Sequence, residues 1–360
     1  MRRLMTTQLV PGMVTAEDVY NFNNQLVLSK GSILTDTLIT RLDLYSIIYV
    51  RVEDAPDNDE VLQVPLNLSS SYSERVKNSQ EFAIFKEKYT ESLDDFKGCL
   101  NDIVERNTDI DVSSLLDSTL NIIESNNGTI GIFDMLQNMR QFDDSTYSHC
   151  LNVSLICNVF GKWLNMTEKQ IELATLCGLL HDIGKLRIPN SIITKPSKLS
   201  DEEFAIIKKH PTEGYRILMS AKLDPHICNA ALMHHEKCDG SGYPLGLTGD
   251  KIDPYAKMVT IADIYDAMTS ARIYRGPLCP FTVIELFENE GLQKYDTKFI
   301  LTFLESVVNT YIGNRVRLSN GQEGEIIFIN RDKFSRPTIK CENEYISLID
   351  RLDLTIDCLI

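Results

Sequence analysis

Histidine is the residue type whose positions in this chain first indicate chemistry. The chain has 360 residues, yet its six histidines all fall between positions 149 and 235. A single histidine is most often a surface residue or a satisfied core residue, although imidazole is also the commonest metal ligand in proteins. The grouping therefore indicates a metal site. The histidines are His149, His181, His210, His226, His234 and His235.

One imidazole is followed directly by a carboxylate at the end of an apolar stretch. Residues 171–180 are apolar almost all round a helix, which predicts a buried helix, and His181-Asp182 follow it. An unpaired charge that emerges from buried structure is costly, and a bound cation would compensate it. An ion pair with Lys185 or Arg187 would do the same, so the dipeptide alone leaves both interpretations open.

Two further groups of polar residues are embedded in apolar helical sequence. His234 and His235 follow the apolar stretch 227–233 and can supply two nitrogen ligands if the backbone turns between them. Asp263 and Asp266 lie at i and i+3, on one face of an apolar helix. We expect one of these acids to reach the metal site and the other to cap a helix or orient a neighbouring group.

The candidate ligands mix imidazole nitrogen with carboxylate oxygen. Such ligand sets suit iron, manganese, zinc, cobalt or nickel, whereas magnesium and calcium prefer oxygen alone. Two ions would need six or seven protein ligands and a bridge, and this interval offers that number. Two divalent transition metal ions are therefore the expected cofactor.

A glycine-rich loop begins four residues after His235. Its two glycines allow close approach of the backbone, and its tyrosine offers a ring face and a hydroxyl. By itself such a loop is typical of an ordinary turn. Its sequence is Asp239-Gly240-Ser241-Gly242-Tyr243-Pro244.

The charge balance limits the partners of the chain. Fifty-one acidic against 36 basic side chains give a net charge of -15. Such a field repels nucleic-acid polymers and anionic membrane surfaces unless a local patch reverses it. We expect neither a nucleic-acid partner nor membrane insertion, and any anionic ligand needs a local basic cluster.

The cysteines and the N-terminus predict a cytoplasmic protein. The nine cysteines are scattered without a CxxC pair, which favours reduced thiols over a disulfide framework or a zinc ribbon. The first residues show no signal-peptide core, and no later apolar run reaches transmembrane length.

Taken in order, the motifs of the histidine-rich interval closely resemble the HD-GYP domain of the HD phosphohydrolase superfamily. The usual activity of that domain is hydrolysis of the bacterial second messenger cyclic di-GMP, and the resemblance covers roughly residues 141–309. The matching motifs are His181-Asp182-Ile-Gly-Lys185, His210-Pro-x-x-Gly214, His234-His235-Glu236, Asp239-Gly-x-Gly-Tyr-Pro244 and Ala262-Asp263-x-Tyr-Asp266.

The resemblance implies a set of metal ligands in which Asp182 bridges two ions and is catalytic. Iron and manganese are the metals it favours. His226 matches no motif position and is left out. The implied ligands are His149, His181, Asp182, His210, His234, His235 and Asp263.

The resemblance also implies substrate contacts. Lys185 looks like the family's phosphate-contacting lysine, and we expect it to act in catalysis as well as binding. Arg272 and Arg275 match the family's basic substrate-side positions and would supply the local positive patch that the net charge requires. The loop Gly242-Tyr243-Pro244 is similar to the family's signature and would place Tyr243 near a guanine or the ribose-phosphate.

Two positions depart from the family pattern. Some members place a glutamate four residues before the first histidine ligand and hold three metals, whereas this chain has Ser145 there, which predicts two. Cys238 stands where an aromatic residue is common, and we expect a changed contact without loss of metal binding.

The sequence pattern predicts a multidomain chain: a mainly α-helical HD-GYP core with a small α+β N-terminal domain and a small β-barrel-like C-terminal domain. The terminal regions resemble, more weakly, modules that accompany HD-GYP domains. The predicted bounds are 1–54 for the N-terminal module, 55–72 for a linker, 73–140 for a helical connector, 141–309 for the HD-GYP phosphodiesterase domain and 310–360 for the β module.

The resulting hypothesis is a phosphodiesterase in which water activated by two metals converts cyclic di-GMP to linear pGpG, with slower cleavage to GMP as an extension. A cyclic GMP-AMP phosphodiesterase stays open, as does a non-catalytic cyclic di-GMP receptor that signals through its end domains. An HD nucleotidase is disfavoured by the Gly-Tyr-Pro loop. As protein partners we expect either a second copy of this chain in a homodimer or a regulatory protein bound through the terminal domains.

Overall fold

The computed structural model describes most of the chain. The described residues are 2–5, 9–10, 12–20, 26–34, 38, 42, 49–53, 76–106, 110–124, 131–139, 146–193, 195, 199–270, 278–342 and 344–360. The predicted linker, 55–72, and the positions Ser145, Arg272 and Arg275 lie outside them.

Short antiparallel strand pairs lie near the N-terminus. Strand β1 (Arg2–Met5) pairs with β4 (Tyr49–Val52), and β2 (Val19–Tyr20) pairs with β3 (Leu26–Leu28). Their apolar side chains form a small core that is separate from the main one. This core consists of Leu9, Val19, Leu28, Leu34, Leu42, Val50 and Val52.

Helices form the middle of the chain. Among the described residues, 3-10 helices lie at Ile183–Arg187 and Gly249–Lys251, and a π-helical turn lies at Phe287–Gly291. The α-helices are α1 (Gln80–Arg106), α2 (Val112–Glu124), α3 (Ile132–Met139), α4 (Thr146–Trp163), α5 (Glu168–Leu180), α6 (Asn190–Ile193), α7 (Asp201–Ile207), α8 (His210–Ser220), α9 (Pro225–Met233), α10 (Pro254–Thr269), α11 (Pro280–Leu286), α12 (Leu292–Lys294) and α13 (Thr297–Asn309).

Local sequence explains where α9 and α10 begin. Each starts with proline, whose missing N–H is not needed in the first turn. The aspartate before each proline accepts a hydrogen bond from the backbone two residues on, Asp224 from His226 at 2.8 Å and Asp253 from Tyr255 at 2.9 Å. These caps satisfy N–H groups that a helix start leaves unpaired.

Two glycines let the helices around the histidines approach closely. A Cβ at Gly178 of α5 would lie 2.9 Å from the backbone of Ser154 in α4, so α4 and α5 cross in near backbone contact. A Cβ at Gly184 would overlap the carbonyl oxygen of His210 at the start of α8. Glycine at both positions therefore allows α4, α5 and α8 to meet at one point.

The C-terminal segment forms an antiparallel sheet of five strands in the order β8-β7-β6-β5-β9. Along β5 and β6, buried residues alternate with exposed ones, which is the pattern of a sheet with one face on a core. The strands are β5 (Arg315–Leu318), β6 (Glu323–Phe328), β7 (Thr338–Lys340), β8 (Tyr345–Ser347) and β9 (Ile356–Leu359).

One hydrophobic core joins the helices to this sheet. Buried residues of α1 and α4, such as Phe85 and Leu151, belong to the same cluster as Val316 and Ile326 of the sheet. The predicted mainly helical fold with a small C-terminal β region is thus confirmed, whereas closure of the sheet into a barrel stays a prediction. Among the described residues, no helix is both long and apolar enough to span a membrane.

Candidate metal centre

Five elements far apart in the sequence bring the predicted ligands together. Helix α4 supplies one histidine, the end of α5 a histidine and an aspartate, the start of α8 one histidine, the end of α9 two, and α10 an aspartate. The side chains form two groups, and within each group the candidate ligand atoms lie within 4.8 Å of one another. The first group is His149, His181 and Asp182, and the second is His210, His234 and His235.

The carboxylate of Asp182 lies between the two groups. Its Oδ2 is 3.9 Å from His149 Nε2 and 3.4 Å from His181 Nε2. Its Oδ1 is 3.2 Å from His210 Nε2 and 3.6 Å from His234 Nε2. One oxygen thus faces each group, which is the arrangement that a bridging carboxylate needs.

Backbone carbonyls determine the tautomers of three histidines. The Nδ1 atoms of His181, His210 and His234 lie 2.8, 2.7 and 2.9 Å from carbonyl oxygens. A carbonyl oxygen only accepts, so each Nδ1 carries the proton and each Nε2 presents a lone pair. These second contacts are those that commonly orient metal-bound histidines. The carbonyls belong to Gly178, Ile207 and Ala231.

The site contains buried polar atoms that a cation would satisfy. His210 Nε2 and His234 Nε2 lie 3.1 Å apart, although with Nδ1 protonated neither has a proton to share. Among the described residues, His181 Nε2 and Asp182 Oδ1 are buried without a hydrogen bond of acceptable geometry. Leaving such atoms unpaired costs free energy. The residues present therefore fit divalent metal ions with nitrogen and oxygen ligands.

His149 lies between two carboxylates of α10. Its Nδ1 is 2.8 Å from Asp266 Oδ2, and its Nε2 is 3.0 Å from Asp263 Oδ1. Burial alone would lower the pKa of His149, but the hydrogen bonds with Asp263 and Asp266 outweigh it and raise the pKa to about 10. Asp263 thus lies at the ring nitrogen that faces the first ligand group, and Asp266 lies at the opposite nitrogen.

Lys185 pairs with the central carboxylate. Its Nζ lies 2.5 Å from Asp182 Oδ2, and its side chain is partly exposed. Burial alone would raise the pKa of Asp182, yet the ammonium group of Lys185 beside it holds that pKa well below its ordinary value. The Lys185 ammonium therefore favours the negatively charged form of Asp182.

The signature loop lies against His235. The ring of Tyr243 stacks on the imidazole with a centroid distance of 4.6 Å and an interplanar angle of 28°. The Tyr243 backbone N–H donates to the His235 carbonyl at 3.2 Å. A Cβ at Gly242 would overlap the backbone of Glu236, so glycine is required for this close contact. Pro244, the third predicted loop residue, is half-buried beside Tyr243.

Glu236 anchors the far side of the same loop. It is 2% exposed, and its Oε1 accepts from the backbone N–H groups of Leu245 and Gly246 at 2.6 and 3.1 Å. Its Oε2 accepts from Leu247 at 2.9 Å. The sequence interpretation gave Glu236 no role, although its place between a ligand pair and a glycine-rich loop was a usable signal.

Two further residues lie near the loop, and the sequence interpretation gave a prediction for only one of them. Lys208, which that interpretation missed, is exposed and places its Nζ 5.2 Å from the ring centre of Tyr243. Cys238 donates from its backbone N–H to the carbonyl of Lys294 at 2.7 Å. Its side chain lies against Gly249 and not in the ligand groups.

The fold and the site define a metal-binding helical domain of the HD class. Residues 121–299 match the HD domain family, so this segment of the chain is an HD domain, and its motifs are those that resemble the HD-GYP type.

Several characterised proteins are similar to this chain. A cyclic di-GMP phosphodiesterase of Pseudomonas aeruginosa is 32% identical over 207 residues, which are 57% of this chain and 50% of the relative. A 3'3'-cGAMP-specific phosphodiesterase of Vibrio cholerae is 37% identical over 145 residues, 40% of this chain and 34% of the relative. The chain thus spans half or less of the length of these relatives.

Among solved structures, an HDG"Y"P protein from Bdellovibrio bacteriovorus superposes with a TM-score of 0.48 and 18% sequence identity. The superposition covers 85% of this chain and 99% of that protein.

Proposed function

We propose that this protein hydrolyses cyclic di-GMP to linear pGpG. The observation that carries the proposal is the carboxylate of Asp182, which turns one oxygen toward each of two groups of ligand atoms. Relatives named cyclic di-GMP phosphodiesterases are 32% and 36% identical to this chain over 207 and 177 residues, which supports the choice of substrate.

Two divalent transition metal ions, iron or manganese, are the proposed cofactors. One would be held by His149, His181, Asp182 and Asp263, and the other by Asp182 and the group of three histidines at 210, 234 and 235. Such ions supply Lewis acidity and lower the pKa of a water for attack on a phosphodiester.

The chain's own residues place a phosphate near this centre. His149, Asp263 and His235 are the ligands with some exposure, whereas His181 and His210 are fully buried, so the site opens on the side of the first three. Lys185 is partly exposed beside Asp182. We assign the phosphate contact to Lys185. Metal ions bound to Asp182 would neutralise its carboxylate, and the ammonium group of Lys185 could then bind the substrate.

The remaining substrate contacts come from the loop and from basic residues. One face of the Tyr243 ring lies on His235, and the Lys208 ammonium lies over the ring at 5.2 Å from its centre, so we assign the hydroxyl edge to a guanine or ribose-phosphate. Gly242 and Pro244 set the path of the loop. Arg272 and Arg275 complete the proposed positive patch.

A 3'3'-cGAMP substrate is the second candidate, because relatives named as specific for that dinucleotide are also similar to this chain. A receptor without catalysis is less well supported, since receptors of this scaffold need not keep every ligand, whereas both groups are complete here.

We further propose the multidomain organisation set out from the sequence, including its bounds. Separate apolar clusters in the N-terminal region and in the main body support the first boundary. Cyclic dinucleotides are intracellular messengers, so we place the protein in the cytoplasm. A homodimer or a regulatory protein partner would act through the terminal regions.

The test is product analysis with the full chain. The protein is purified without oxygen, loaded with Fe²⁺ or Mn²⁺, and incubated with cyclic di-GMP or 3'3'-cGAMP, and the products are separated by chromatography and mass spectrometry. We expect pGpG and a metal content near two per chain. Asp182→Asn should keep the helical spectrum, lose metal and release no product. If the metal-loaded wild type binds cyclic di-GMP tightly but releases no pGpG, the protein is a receptor and the enzyme hypothesis is wrong.

A further inference from the structure

A line of hydrogen bonds leads from helix α1 to the metal-side histidine of α4. The hydroxyl of Tyr89 in α1 donates to Asn152 Oδ1 at 2.7 Å and lies 3.2 Å from the carbonyl of Ser148. Asn152 Nδ2 donates to Asp266 Oδ1 at 3.2 Å. The other oxygen of Asp266 lies 2.8 Å from His149 Nδ1. Tyr89 precedes residues 121–299, the segment that matches the HD domain.

Each bond in this line has only one workable direction. The carboxylate of Asp266 is an acceptor, so Asn152 must turn its NH₂ toward it and its oxygen toward Tyr89. With the amide reversed, two oxygens would face each other at Asp266. The hydroxyl of Tyr89 therefore donates to the amide oxygen of Asn152, and the amide nitrogen donates to the carboxylate of Asp266. That carboxylate also accepts a hydrogen bond from the Nδ1–H of His149.

Burial makes these bonds hard to replace by water. Tyr89 is 2% exposed, Asn152 5% and Asp266 1%. Inside a protein, a polar group that loses its hydrogen-bond partner and cannot reach water destabilises the folded state. Helix α1 is also held beside α4 by apolar contact, including the edge-on approach of Phe96 to Tyr147 at 6.2 Å between ring centres. The hydroxyl of Tyr89 thus has a defined place.

We propose that Tyr89 is a positioning residue for the metal ligand His149, and that it acts through Asn152 and Asp266. By holding the amide, Tyr89 holds the carboxylate that orients the imidazole, whose Nε2 then points toward Asp263 and the first ligand group. Metal-ligand partners outside the coordination shell act in this way in other proteins. A helix outside the HD segment therefore takes part in the geometry of the site. This inference depends on the proposed metal centre and not on the identity of the dinucleotide.

The first test uses Mn²⁺ alone and the metal-stripped full chain. Tyr89→Phe removes one hydroxyl and keeps the ring. We expect it to weaken Mn²⁺ binding at one of two sites by about tenfold, the lower end of the range for partners outside the coordination shell, and to leave the other site unchanged. Tyr311→Phe is the matched control, because it also removes a buried tyrosine hydroxyl, one that lies 3.0 Å from the hydroxyl of Tyr265. The control should bind Mn²⁺ as the wild type does.

The second test follows the orientation of the ring directly. In the metal-free protein labelled with ¹⁵N-histidine, the imidazole resonances of His149 should move in Tyr89→Phe and stay in place in Tyr311→Phe. Asn152→Ala should weaken Mn²⁺ binding at the same site. The double variant with Tyr89→Phe should bind Mn²⁺ about as weakly as Asn152→Ala alone, because the hydrogen bond to Asp266 is already absent.

Three results would overturn the proposal. Tyr89→Phe with wild-type Mn²⁺ affinity at both sites and unmoved His149 resonances would leave Tyr89 as a core residue only. An equal loss from Tyr89→Phe with and without Asn152→Ala would exclude the route through the amide. A wild type that takes up no Mn²⁺ would overturn the metal centre itself, and with it this inference.

Discussion

The ring of Tyr243 lies stacked on the imidazole of His235, with 4.6 Å between their centres. The tyrosine of the signature loop thus supports a candidate metal ligand as well as facing the side on which the site opens. The loop and the second ligand group are therefore in direct contact, and substitutions in the loop should change metal binding by that group.

Tyr243→Phe and Tyr243→Ala should separate these two roles. The phenylalanine variant keeps the stacked ring, so we expect normal metal content and a change confined to KM if the hydroxyl meets the substrate. The alanine variant loses the stack and should also lose metal from the second group. Metal analysis and steady-state kinetics measure both effects. Normal metal content in Tyr243→Ala would mean that the stack does not hold His235.

Glu236→Gln should loosen the loop without removing a ligand. The glutamine amide replaces one acceptor oxygen by a donor, which then faces a backbone N–H of residues 245–247. We expect faster hydrogen exchange at those amides and weaker metal binding at the second group, by roughly tenfold. Ser241→Ala is the control, because Ser241 is exposed on the same loop and bonds only within it to Asp239 as far as the described contacts show. Equal exchange in the two variants would contradict the anchoring role.

Lys185→Ala should affect catalysis and metal-free stability in different ways. In the loaded protein we expect kcat to fall by about 10²-fold, more than affinity falls, because a charge that stabilises the transition state is removed. Without metal, the buried Asp182 loses its cation, so the melting temperature should drop, and added Mn²⁺ should restore it more than in the wild type.

Lys195→Ala provides the matched control for Lys185→Ala. Lys195 also forms an ion pair, with Glu203 at 2.7 Å, but both side chains are partly exposed and away from the ligand groups. Its loss should cost little stability. If Lys185→Ala turns over as fast as the wild type, Lys185 has no part in catalysis.

Gly184→Ala should disturb the approach of the Asp182 segment to His210. The added methyl would overlap the His210 carbonyl, and overpacking of this kind costs about 1–3 kcal/mol or more. We expect a lower melting temperature and reduced metal content. Gly98→Ala is the control, since Gly98 is an exposed helical glycine with open space around its Cβ position, and alanine there should stabilise by about 0.5–1 kcal/mol. Similar melting temperatures for the two variants would show that the close approach is not needed.

Local sequence determined much of this protein, because the relevant information lies in short motifs. The residue types of His181-Asp182 and His234-His235, each after an apolar stretch, indicated a metal site. The order of the motifs indicated an HD-GYP domain, and the family match confirms that residues 121–299 are an HD domain. The mainly helical core and the C-terminal strands followed from the periodicity of apolar residues.

Tertiary structure decided how those residues face one another. The division of Asp182 between two groups depends on how α4, α5, α8 and α9 cross, and crossing angles are set by side chains distant in the sequence. Helical spacing alone left Asp263 and Asp266 interchangeable, and the family resemblance singled out Asp263. The position of His149 on α4 places Asp263 at its Nε2 and Asp266 at its Nδ1. The contact between Tyr89 and Asn152 joins residues 63 positions apart, through side chains whose types are ordinary for any buried helix pair. No local pattern marks such a contact, because its energy comes from groups that meet only after the helices have packed.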